Sequence, residues 1–148
     1  MVKQYIILRK DAKTVDGGTV SPQKLAVMAA HASMAFLATM VEDNAIRNED
    51  GSYSISLHMD GNVMEHWFGG SFTKVLLSAK NLRHLNKAIE NAKAIGLKEG
   101  EDFFPIRDSC RTELIPDEGT DTCFIGIGFR PMEEDRIREV TRKYQLYH

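Results

Sequence analysis

Residues Arg107 to Thr112 put a carboxylate, a thiol, two hydroxyls and two guanidinium groups on consecutive positions, directly after the apolar run Phe103 to Ile106. A chain that only had to leave a sheet would use Gly, Pro or Asn there. Beyond the carboxyl end of a strand is where α/β sheets gather ligands. Asp108 can orient or deprotonate a water, and Lys13, placed just past the first strand, can offer a positive point charge. Thr112 and Thr122 can donate hydroxyl hydrogen bonds. Each residue also has a plainer reading. Asp108 is a turn-closing carboxylate that accepts from the backbone N–H two residues on, which spacing alone favours. Lys13 is a solvated loop lysine, and Thr122 an ordinary β-branched strand residue. Cys110 beside Asp108 suggests a thiol nucleophile only if a histidine such as His31 touches it. His58, Asp60 and His66 lack ligand spacing, so no metal site is expected.

The elements that must hold these groups follow from periodicity and punctuation. Tyr5 to Leu8 is a continuous apolar run, hence a strand buried on both faces. Asp16-Gly17-Gly18 marks a turn, and Ser21-Pro22 is a helix start, a hydroxyl cap followed by proline at the first helical position. That helix should reach about Glu42. Residues 43–66 read as an insertion, hairpin-like where Tyr53, Ile55, Leu57 and Met59 alternate before Asp60-Gly61. Thr73 to Ala79 is a second strand, and Asn81 caps a helix ending at Gly96. Phe103 to Arg107 and Thr122 to Gly128 are further strands, and Pro131 should open a last helix running to about Tyr144. Alternating strands and helices predict a single-domain α/β protein spanning 1–148, a three-layer α/β/α sandwich on a small four-stranded mixed sheet.

The chain has 148 residues, 43% of them hydrophobic and 27% charged, with a net charge of -2, so no global positive field marks a nucleic-acid partner. Two cysteines without CxxC spacing fit a reduced, cytoplasmic protein. Met1 to Arg9 reads as a strand rather than a targeting signal. Leu25 to Val41 is apolar enough to approach a membrane span. Its Ala and Met content fits a buried helix better, and no membrane partner is expected.

Four stretches carry a resemblance to the type 2 peptidyl-tRNA hydrolases of archaea and eukaryotes. LRKDAK (8–13) resembles the family's first strand with its Asp-x-Lys. KLAVMAAHAS (24–33) resembles its Lys-x-Ala-Ala-Gln-x-x-His-Ala helix. IRDSCRT resembles its Ile-Arg-Asp-Ala-Gly-x-Thr turn, and IPDEGTDTCFIGIG (115–128) its Pro-Gly-Thr-x-Thr strand with a Gly-x-Gly exit. The resemblance implies hydrolysis of the ester that joins a peptide or N-blocked amino acid to tRNA, without metal or organic cofactor. It makes Lys13, Asp108, Thr112 and Thr122 the catalytic group and places His31 near the pocket; Lys24, Arg107 and Arg111 are expected at the substrate as cations for its phosphates. Two positions depart from it: Cys110 stands where the family has Gly, and Met28 where it has Gln.

For tRNA, Arg9, Lys10, Lys13, Lys24, Arg107, Arg111 and Arg130 are the basic candidates, provided they gather on one rim. The rival function is a non-catalytic binding module that keeps this fold. A homodimer stays open, to be marked by exposed apolar surface around the insertion.

Overall fold

The computed structural model describes every residue, Met1–His148. β1 (Val2–Arg9) leads through a loop to α1 (Pro22–Asn44). A hairpin follows, β2 (Ala45–Arg47) with β3 (Tyr53–Ile55), then a short helix α2 (Gly61–Val63) that runs on as a π-helical segment, Met64–Ser71. After β4 (Lys74–Ala79) come α3 (Leu82–Ala94), β5 (Phe103–Asp108), β6 (Cys123–Phe129), β7 (Met132–Glu133), α4 (Glu134–Thr141) and β8 (Gln145–Leu146).

The main sheet has the order β5–β6–β1–β4–β8, with β7 paired to the start of β1. β1 and β4 are parallel, while β6 is antiparallel to β1 and β5 antiparallel to β6. The carboxyl ends of β1, β4 and β5 and the amino ends of β6 and β8 therefore share one end of the sheet. The four expected strands are all present, and two two-residue strands extend them. The last helix starts later than its proline implies. Met132 and Glu133 pair with Lys3 and Val2, which holds this segment extended until Glu134.

Alternation along β1 feeds two layers. Tyr5 and Ile7 pack with Leu85 and Ala88 of α3 and with Ile137 and Val140 of α4. Ile6 and Leu8 pack with Met28 and Ala32 of α1. That is the α/β/α sandwich, and it explains why the β1 sequence is apolar at successive positions. Met28, where a glutamine belongs in the family pattern, is a core residue only 3% exposed.

Gly128 lets α1 approach β6, and Gly126 lets β6 lie close against β1. A Cβ on Gly128 would stand 2.0 Å from the carbonyl oxygen of Ala32, and one on Gly126 2.7 Å from that of Ile7. A buried polar clip locks the same contact. Gln4 Nε2 donates to the carbonyls of Ser33 (2.8 Å) and Phe129 (3.1 Å), and Ser33 Oγ donates back to Gln4 Oε1 (2.7 Å). Every polar end of this fully buried side chain is satisfied, which removes the cost of burying it.

α1 is long and apolar enough to cross a membrane by length and composition. Here its Met28–Ala32–Phe36 stripe lies on the sheet, where burying Phe36 contributes on the order of 1.5–3 kcal/mol. The insertion is fastened by Trp67, which meets Phe36 edge-on at 6.2 Å and donates its indole N–H to Thr73 O (2.8 Å). Asp60 caps α2 through its side chain instead of closing a hairpin turn, so the strand pattern that should reach Met59 stops at Ile55.

Candidate active site

Asp108 ends β5 on the α1 face, and its carboxylate is held from two sides. Oδ1 lies 2.6 Å from Lys24 Nζ, in the first turn of α1, and the two side chains are only 7% and 17% exposed. Oδ2 accepts from the backbone N–H of Cys110 at 2.9 Å. The turn-closing role and the charged role therefore coexist on one residue. A register shift between Ile106 and Arg107 sets Asp108 opposite Cys123, which brings Thr122, one residue earlier, to the same strand end.

Cys110 adopts φ 59, in the left-handed region that favours the glycine of the family pattern. Its thiol lies 3.5 Å from Asp108 O. Burial first, and then the Asp108 carboxylate, push the Cys110 thiol above the ordinary range, and none of the groups acting on it is a histidine. Burial raises Cys123 further, to about 11. Thiols held protonated in this way are poor nucleophiles, so the thiol mechanism loses its basis.

The loop from Lys10 to Val20 is strapped to the segment after Thr112. Val15 N donates to Glu113 O and Ile115 N donates to Lys13 O, both at 2.9 Å. Glu113 also fixes the start of α1, accepting from Ser21 N (2.7 Å) and Ser21 Oγ (3.0 Å). Ser21 in turn caps Lys24 N at 3.2 Å. One carboxylate therefore positions the helix that delivers Lys24 to Asp108. Glu113 drew no attention in the sequence because a glutamate next to a loop has no spacing signature.

Asp117 plays the matching part on the other side. It accepts from Phe124 N (2.8 Å) and pairs with Arg9 Nη1 (2.6 Å), anchoring the loop that presents Thr122. Lys13 and Thr112 are exposed and lie at this same end of the chain's path, joined through the strap.

Two basic candidates are corrected. Arg9 is engaged by Asp11 and Asp117 and is only 12% exposed. Arg130 follows β6 at the opposite end of the sheet, paired with Asp102 at 2.7 Å. Arg107 lies with its guanidinium 4.8 Å from the Phe124 ring, on the sheet face away from Asp108. Arg111 is exposed. His58, Asp60 and His66 do not assemble into a group able to hold a metal ion.

A groove of about 480 Å³ runs between α1 and the edge strand β5, lined by His31, Met34, Ala35, Ala38, Ile106 and Arg107 among others. Phe104 and Ile106 stand four and two residues before Asp108 on one strand face, so the groove runs along the strand that ends in the carboxylate, and Asp108 itself lies beyond its lining. A separate cavity of about 280 Å³ is walled by Met40, Asp43, His58 and Met59 of the insertion side. Its α1 lining, Phe36 to Asn44, lies roughly 18–30 Å from Lys24 along the helix at 1.5 Å per residue, so it adjoins the far end of the groove, where the two share Thr39 and Phe104.

A family model described as Peptidyl-tRNA hydrolase PTH2 matches residues 2–147. No curated relative matches the chain. Among solved structures, a protein of unknown function from Agrobacterium tumefaciens strain C58 is similar in fold, with a TM-score of 0.51 and 10% identity over 99% of this chain and 98% of that one. The family match extends over nearly the whole chain and takes in the Lys24 helix, the Asp108 turn and the strand after Thr122. The chain belongs to the peptidyl-tRNA hydrolase PTH2 family.

Proposed function

We propose that the protein hydrolyses the ester between a peptide or N-blocked amino acid and the terminal ribose of tRNA, with Asp108 orienting the attacking water. Family membership implies peptidyl-tRNA hydrolysis in general. What carries the finer reading is the ion pair of Asp108 with Lys24 at the end of the strand that borders the groove.

Each carboxylate oxygen has a second lone pair, so a water can bind Asp108 without breaking either existing contact. Held from both sides by Lys24 and Cys110 N, the carboxylate is fixed in place to aim the water. The water oxygen bonds the ester carbon, the tetrahedral oxyanion forms, and the carbon–oxygen bond to ribose breaks. The proton shed by the attacking water passes to the ribose oxygen, leaving a free acid and deacylated tRNA. Lys13 supplies positive charge to the oxyanion, and Thr112 and Thr122 donate hydroxyl hydrogen bonds. The groove beside His31 and Ile106 takes the peptide.

Single-turnover hydrolysis of N-acetylated aminoacyl-tRNA by the purified protein tests this. Release of free acid and deacylated tRNA is expected. A protein that binds the substrate and leaves its ester intact is the non-catalytic module. One observation favours that second reading: both oxygens of Asp108 already have partners within the turn and helix.

A further inference from the structure

Several cations near the strand ends are neutralised inside the molecule, Arg9 by Asp11 and Asp117 and Lys24 by Asp108. Besides Lys13, three further lysines at the same end are not. Lys10 just past β1, Lys80 just past β4 and Lys143 just before β8 enter none of the molecule's ion pairs. With Ser78, His84 and Gln145 they wall one cavity of about 260 Å³, which no carboxylate and no apolar side chain lines.

The cavity is built as well as charged. It lies at the amino end of α3, whose cap is Asn81, so the helix adds its partial positive charge. His84 Nδ1 accepts from Lys80 N at 3.1 Å, which leaves Nε2 as a donor. The His84 ring is held flat against Tyr144 with centroids 4.3 Å apart. Lys10 Nζ sits 5.5 Å from the centre of the Tyr147 ring. Ser78 and Gln145 add neutral hydrogen-bonding groups, and they face each other across the β4–β8 pair.

We propose that this cavity is a phosphate cradle for the tRNA backbone, resting on the hydrolase reading given above. Three ammonium groups, an imidazole N–H and a helix amino end suit a phosphodiester and offer nothing to an apolar or cationic ligand. The location fits as well. Asp108 is on β5 and the cradle spans the ends of β1, β4 and β8, two to four strands away, which is roughly 10–19 Å at about 4.8 Å per strand. At a rise of about 3.4 Å per stacked nucleotide that is three to six residues from the ester, so the cradle would grip the end of the tRNA that carries it.

The test is the salt dependence of binding to deacylated tRNA, read without any catalysis. Lys80→Ala/Lys143→Ala removes two of the three ammonium groups. The slope of log affinity against log salt should become shallower by about 1.5, at roughly 0.7–0.9 per phosphate contact. Lys93→Ala/Lys98→Ala removes the same charge away from the cavity and should leave the slope unchanged. Equal losses in the two doubles would mean diffuse attraction and overturn the cradle. A wild type that hydrolyses the ester while the Lys80/Lys143 double keeps its slope overturns the cradle alone. A wild type that neither binds tRNA nor cleaves the ester overturns the hydrolase reading along with it.

Discussion

Replacing Asp108 with asparagine separates the two duties of that residue. The site presents two donors to the side chain, Lys24 Nζ at 2.6 Å and Cys110 N at 2.9 Å. An amide has one acceptor oxygen, so whichever way it turns, its NH₂ faces a donor. One hydrogen bond is lost and the Lys24 ammonium keeps no counter-charge. Breaking a fully buried pair costs about 3–5 kcal/mol; with Lys24 17% exposed, water recovers part, and about 2 kcal/mol is expected. For a chain of this length that lowers the melting temperature by about 4–8 °C and leaves the protein folded at 25 °C. Loss of a water-orienting carboxylate should slow hydrolysis by ~10² to 10⁴. Lys24→Met in the same chain removes the stranded charge and should restore most of the stability but none of the rate. The assay is single-turnover release of N-acetylated amino acid from tRNA, beside thermal unfolding of each variant. A rate within a few-fold of wild type in Asp108→Asn refutes the catalytic assignment. Recovery of rate together with stability in the double variant would show that the carboxylate only builds the turn.

Cys110→Ser should hydrolyse at close to the wild-type rate, and alkylation of Cys110 should be slow at neutral pH because its thiol is held above its ordinary range; a trapped acyl-thioester would refute this. Cys123 has its thiol raised from 9.0 to about 11 by burial, so the folded state holds that proton more tightly than the unfolded chain. Its contribution is complete below pH 9 and is lost as pH rises from 9 towards 11. Urea unfolding of wild type and Cys123→Ala across that range should show a shallower alkaline decline in the variant. Gly128→Ala drives a Cβ to 2.0 Å from the Ala32 carbonyl, backbone against backbone, and should cost about 3 kcal/mol or more. An unchanged melting temperature would mean that α1 does not need its close approach to β6.

What the sequence carried reliably was local. Ser21-Pro22 starts α1 where a hydroxyl cap followed by proline must, and the Ser21 side chain accepts from Lys24 N. Asn81 caps α3, and Gly96 ends that helix at φ 86. The unbroken apolar run in β1 meant helices on both faces, because no side of such a strand can stay in water. The resemblance to the family pattern also made Cys110 a residue in a glycine's place, and it has the backbone angle that this implies. All of these are decided within a few residues of the position concerned.

Tertiary structure decided the rest. Pro131 reads as a helix start, yet pairing of Met132 and Glu133 with the amino end of β1 keeps the chain extended for two more residues. Arg9 and Arg130 read as free cations, but Asp117 and Asp102, each far along the chain, neutralise them. Lys24 reads as a substrate contact, and folding sets it against Asp108 instead. Lys10 reads as a basic candidate for tRNA without visible companions in Lys80 and Lys143, and only the parallel arrangement of β1 and β4, with β8 added at the edge, gathers the three around one cavity. Capping and periodicity act over a turn or a strand, so residue order encodes them directly. Which charges meet depends on the order and direction of strands, and that is settled by burying both faces of the sheet at once.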